Sequence, residues 1–102
     1  FEANSRATIR YEILQKEQAP MPTDVNSEVI KKLVTSIKKI KGKEPYMIGI
    51  GGGTCAAFFR SRGMAAVVWS TTIEDNAHKP DEFCLIPHIL GDSKIVEDMI
   101  YN

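Results

Sequence analysis

Two places in this chain carry residues whose types could do chemistry. One is the stretch MIGIGGGTC (residues 47–55), where an apolar run meets four glycines in five residues and then Thr54. The other is TTIEDNAHKPDEF (residues 71–83), where His78 lies among Glu74, Asp75, Asp81 and Glu82. A histidine among carboxylates is a candidate metal ligand, and a lone surface histidine has the same local sequence. Cys84-x-x-x-His88 is a conceivable ligand pair. With Leu85 and Ile86 between them and Pro87 opening a helix, both read as packing residues. Ser61 and Ser70 have no evident base, and no Ser/His/Asp order makes a catalytic set.

The glycine stretch fits neither nucleotide fingerprint. A dinucleotide site needs G-x-G-x-x-G, but Gly49-Ile50-Gly51 is followed three positions on by Thr54. A P-loop needs Gly-Lys-Ser/Thr, and Gly53-Thr54-Cys55 has no lysine. Glycines after a strand and before a helix let backbone N–H groups approach an anion, and a carboxylate or oxyanion suits such a cradle as well as phosphate does. A tight turn without a ligand has the same composition.

The elements that must position these residues are legible from periodicity. ATIRYEILQKEQ (residues 7–18) alternates with period two and reads as a strand, stopped by the prolines at 20 and 22. From Asn26 the period becomes helical, with Val29, Ile30, Leu33, Ile37 and Ile40 on one face. Asn26 or Ser27 can cap this helix, and Gly42 ends it. The lysines of KKIKGK suit a helix C-terminus. Residues 46–50 and 64–70 read as buried strands flanking a helix over 54–62 with Ala56, Phe59 and Phe58 inward. So short a crossover implies a parallel pair in a right-handed βαβ unit. Pro87 opens a last helix whose stripe runs through Ile89, Leu90, Ser93, Val96 and Ile100, weakened at Gly91. The fold class expected is α/β.

A length of 102 residues fits one domain. Thirteen Lys and Arg balance thirteen Asp and Glu, so charge argues for neither nucleic acid nor an anionic membrane. No apolar run approaches the roughly 20 residues of a membrane helix. Cys55 and Cys84 read as reduced, buried thiols in a reducing, cytoplasmic setting. The chain starts at Phe1 without an initiator Met and ends just after a helical pattern, which leads us to expect a piece of something longer.

GIGGGTCAAFFRSRG followed by AAVVWSTTIEDNAHKPDEF resembles the C-terminal end of the M20 family of zinc-dependent amidohydrolases. That family includes acetylornithine deacetylase, succinyl-diaminopimelate desuccinylase and carboxypeptidase G2-like enzymes. The resemblance extends back through APMPTDVNSEVIKKL and forward through IPHILGDSKIVEDMI. It implies that His78 is the family's last metal ligand, in the context His78-Lys79-Pro80-Asp81-Glu82, where Asp81 replaces the usual asparagine. It implies that Gly52, Gly53 and Thr54 hold the substrate near its carboxylate end. After the threonine this chain has Cys55-Ala56-Ala57-Phe58, so the arginine of desuccinylases is absent at its place.

By the same resemblance, residues 1–18 would be the terminal strand of a lid domain that also forms a homodimer. Residues 19–24 would be a proline linker, and residues 25–102 the C-terminal part of a partial catalytic domain. The implied cofactor is a pair of zinc ions, with cobalt or manganese as substitutes, and the implied substrate is a small N-acyl amino acid or peptide. The other ligands and the general base lie N-terminal to anything present here, so the chain alone would not catalyse. A stand-alone anion-binding module and a structural or oligomerisation module are the competing readings.

Overall fold

In the computed structural model, residues 6–49 and 53–102 are described. Glu28–Lys41 forms the first helix, α1. Its start is set by Asp24: the carboxylate Oδ1 accepts the Asn26 amide at 2.8 Å and the carbonyl accepts the Ser27 amide at 2.9 Å. Ser27 is the N-cap residue by position, yet its hydroxyl caps nothing, so Asp24 supplies the turn expected of Asn26 or Ser27. Glu28 in the first turn and Lys38, Lys39 and Lys41 in the last complement the helix dipole. Gly42 closes the helix in the left-handed conformation, φ 63°, and its amide donates to the Lys38 carbonyl at 2.9 Å.

Ile86–Tyr101 forms the last helix, here α3, with Pro87 in its first turn as expected. The short helix between them, α2, spans Ala56–Ser61. Gly63, at φ 76°, turns the chain out of it, and the Gly63 and Met64 amides return to the Arg60 and Phe59 carbonyls. Only Ala56 of α2 is buried; Phe58 and Phe59 are exposed rather than inward.

The core is the seam between α1 and α3. Leu33, Ile37 and Ile95 are buried there, with Trp69 and Met99 packed against them. The α1 face is close to expectation, although Ile40 lies at its open edge. The α3 face is not. Ile89, Leu90, Val96 and Ile100 are exposed, while Ile95 is completely buried. Ile95 sits against Leu33 and Ile37, and the same face carries Asp92 and Asp98 to cations on α1. Lys41 pairs with Asp92 at 2.9 Å, and Lys39 pairs with Asp98. Ser36, also buried, donates to Asp98 at 2.8 Å. Apolar burial plus charge complementarity thus selects a face rotated from the more apolar stripe.

Residues 64–70 carry no regular secondary structure, and Trp69 packs them onto this seam. The Thr23 hydroxyl holds them by donating to the Ala66 carbonyl at 2.5 Å and accepting the Ala66 amide at 3.2 Å. Among the described residues no two segments pair as strands. The radius of gyration is 18.8 Å, against about 13 Å for a compact domain of this length. Tyr46, Ile48, Met64 and Val68 stay more than half exposed. Cys55 and Cys84 are exposed, not buried as expected; the apolar neighbours of Cys84, Phe83 and Leu85, are themselves exposed. No helix among the described residues is long and apolar enough to cross a membrane.

Candidate functional site

The loop bearing His78 begins where the extended segment meets α3. Asp92, two turns into α3, accepts the Thr71 amide at 2.7 Å and the Thr71 hydroxyl at 2.6 Å. Lys41, at the end of α1, pairs with the same carboxylate at 2.9 Å and also meets the Thr71 hydroxyl. The Lys41 ammonium lies 5.6 Å from the centre of the Trp69 ring, within reach of a cation–π attraction. The Lys41 stem passes Gly91, where a Cβ would make ordinary van der Waals contact with Lys41 Cε at 3.5 Å.

Burial pushes the Asp92 carboxyl up, but the Thr71 hydroxyl and amide and the Lys41 ammonium outweigh it and hold the pKa at about 2. A carboxyl with a depressed folded pKa stabilises the fold above its unfolded value and loses that contribution as pH falls through the folded one. The window here therefore runs from about pH 4 down to about pH 2. Its size is about 1–2 kcal/mol after solvent screening. Carboxyl-carbon NMR of the full-length protein should show Asp92 titrating well below the ordinary aspartate value, at about 2. A midpoint near 4 would remove this stabilisation.

Within the loop, three residues that are not glycine adopt left-handed backbone: Asp75, His78 and Asp81, at φ 56°, 60° and 59°. Asp and His tolerate this region better than most residues. The loop is braced internally. Asn76 Nδ2 donates to the Phe83 carbonyl, the His78 amide donates to Glu82 Oε2 at 3.1 Å, and the Glu82 amide donates to the Lys79 carbonyl at 3.2 Å. His78 itself is exposed. Among the described residues its ring has no hydrogen-bond partner, so a ring nitrogen is open to an incoming group. Asn76, Ala77 and Glu82 line a small cavity under the loop together with Thr71, Cys84 and His88. His88 Nδ1 is buried there without a protein partner.

At the other half of the expected site, Gly52 lies outside the described residues. Gly53 is exposed and has no atom within 4 Å of where a Cβ would stand. Thr54 is half-buried, its carbonyl accepting the Ala57 amide at 3.0 Å. Thr54, Ala56 and Phe59 line a second, apolar cleft against residues 66–69. The two clefts share no lining residue, and His78 lines neither.

As a test of fit for a metal ion, His78 supplies one accessible nitrogen on a braced loop. Among the described residues no group of three His, Cys, Asp or Glu is arranged to hold a metal. The donor set fits a single ligand, short of the three protein ligands that a catalytic zinc takes. Asp92, Thr71 and Lys41 were not expected from the sequence. The available signal was an aspartate next to a helical glycine, facing a lysine at the end of another helix.

Residues 6–102 match the sequence profile of peptidase family M20/M25/M40. An uncharacterized metallohydrolase of Methanococcus maripaludis is 39% identical over 93 residues, covering 91% of this chain and 22% of that protein. An uncharacterized metallohydrolase of Methanocaldococcus jannaschii is 35% identical over 100 residues, covering 98% of this chain and 24% of that protein. The chain thus spans about a quarter of the length of these curated relatives. No solved structure matches it. Matched to the family over residues 6–102, the His78 loop and the Pro87-started helix included, this chain belongs to peptidase family M20/M25/M40.

Proposed function

We propose that this chain is the C-terminal portion of a zinc-dependent hydrolase that cleaves the amide bond of an N-acyl amino acid, of deacetylase, desuccinylase or carboxypeptidase type. The observation that carries the reading is His78: an exposed, unpartnered imidazole on a loop braced from both sides. Membership of the family and the names of the two metallohydrolases support a metal at that position. When bound, the metal would polarise the acyl carbonyl and activate water. His78 would hold one ion through a ring nitrogen, with ligands and a general base contributed by other parts of the protein. Glu82 fixes the backbone of His78 and so limits where its ring can point. The backbone amides around Gly53 and Thr54 would receive the substrate carboxylate.

The parallel βαβ unit belongs to the same reading. The exposed apolar residues of 46–49 and 64–70 have the character of strands awaiting partners. The exposed, alternating segment ahead of the proline linker would help close a lid and a homodimer in a cytoplasmic enzyme.

The test has two steps. An antibody against this chain should detect a native protein several times heavier than 11.4 kDa. That protein, purified, should hydrolyse N-acetyl or N-succinyl amino acids, lose the activity to a chelator and regain it with zinc. A metal-loaded full-length protein inert toward every N-acyl amino acid would overturn the substrate class, and a native band at 11.4 kDa would overturn the enzyme.

A further inference from the structure

Two aspartates of α3 reach α1, and they do different work. Asp98 pairs with Lys39 and Ser36 and so joins helix to helix. Asp92 pairs with Lys41 in the same manner, but it also takes both the amide and the hydroxyl of Thr71. Thr71 is the base of the loop that carries His78. The loop is not slack: the Asn76 amide turns back to the Ile73 carbonyl at 3.4 Å, Asn76 Nδ2 donates to the Phe83 carbonyl, and Glu82 accepts the His78 amide. Lys41 is itself fixed, with Trp69 on one side and the open Cα of Gly91 near its stem. The carboxylate, the lysine and the threonine therefore form a three-way anchor under a braced loop.

We propose that Asp92, held in place by Lys41, is a positioning residue that sets the base of the His78 loop through Thr71, so that its loss weakens metal binding without removing a ligand. This rests on the reading of His78 as a metal ligand. Groups that orient a metal's ligands are typically worth about 10–100-fold in metal affinity. An anchor acting through the loop's base belongs in that range, because the turn at Ile73–Asn76 and the brace from Glu82 link the segment leaving Thr71 to the backbone of His78. Asp98 provides the contrast: its loss loosens the same helix pair and leaves the loop's base tied.

The experiment measures zinc dissociation constants of the folded full-length protein by competition with a chromophoric chelator, alongside thermal midpoints. Asp92→Ala is expected to weaken zinc binding about 10–100-fold. Thr71→Val should act in the same direction, and Thr71→Ser, which keeps the hydroxyl, should restore the affinity. Asp98→Ala should lower the thermal midpoint and leave zinc affinity within about twofold of wild type, well short of a positioning effect. Should Asp92→Ala fail to fold, the Thr71→Val and Thr71→Ser pair decides alone. Unchanged affinity in Asp92→Ala or Thr71→Val, or an equal loss in Asp98→Ala, overturns the proposal. His78→Asn separates this from failure of the underlying reading: normal zinc binding in that variant would mean that His78 is no ligand, whatever Asp92 does.

Discussion

Replacing His78 in the full-length protein is expected to remove metal and to lower hydrolysis by about 10³-fold, the equivalent of about 4 kcal/mol of lost transition-state stabilisation. The loss should not come from unfolding. His78 is exposed, its ring touches no described partner, and its contribution to the loop runs through its backbone amide to Glu82. The choice of replacement matters because the residue sits at φ 60°. Alanine there costs about 1–2 kcal/mol of backbone strain. Asparagine tolerates the conformation and removes only the ring, so His78→Asn isolates the ligand from the turn. Metal content by mass spectrometry, activity and thermal midpoint should be read on both variants. Retained metal together with full activity in His78→Asn would sink the assignment.

The largest effect on stability is expected at Ile95. Its side chain is fully buried between Leu33 and Ile37, with Trp69 and Met99 closing the cluster. Ile95→Ala should cost about 2–5 kcal/mol, the lost transfer energy plus the cavity left behind. Ile95→Val, which removes one methylene, should cost about 0.5–1.5 kcal/mol. Amide hydrogen exchange in α1 and α3 reports the seam directly. Faster exchange in both helices, graded from valine to alanine, is the expected result. A loss below about 0.5 kcal/mol for alanine, outside the range of a core truncation, would mean that this seam is not where the two helices draw their stability.

The two sites meet at Trp69 and Thr71. The segment that packs its indole on the helix seam is the one that hands Thr71 to Asp92 and leads into the His78 loop. Loss of the Trp69 packing should therefore act on the segment that carries Thr71, while Thr54 and Cys55 line a separate cleft.

Much of the local structure was written in the chain. Gly42 ends α1 and Pro87 opens α3, because a left-handed cap and a missing amide are properties of those residues wherever they stand. The face of α1 followed from the spacing of Ile30, Leu33 and Ile37. Family membership followed from the order of the glycine turn, the His78 loop and the proline-started helix. The sequence could not choose between the apolar faces of α3, since both Ile95 and the stripe through Val96 satisfy helical spacing. That choice needed Leu33 and Ile37 in place, with Lys39 and Lys41 opposite Asp98 and Asp92. Nor could it join Lys41 to Asp92, 51 residues away, or Asp92 to Thr71, 21 residues back. Local conformation is decided within a turn of the chain and shows in residue type and spacing. A contact between distant carboxylate, lysine and hydroxyl exists only after the helices have packed, and the tertiary structure alone decided it.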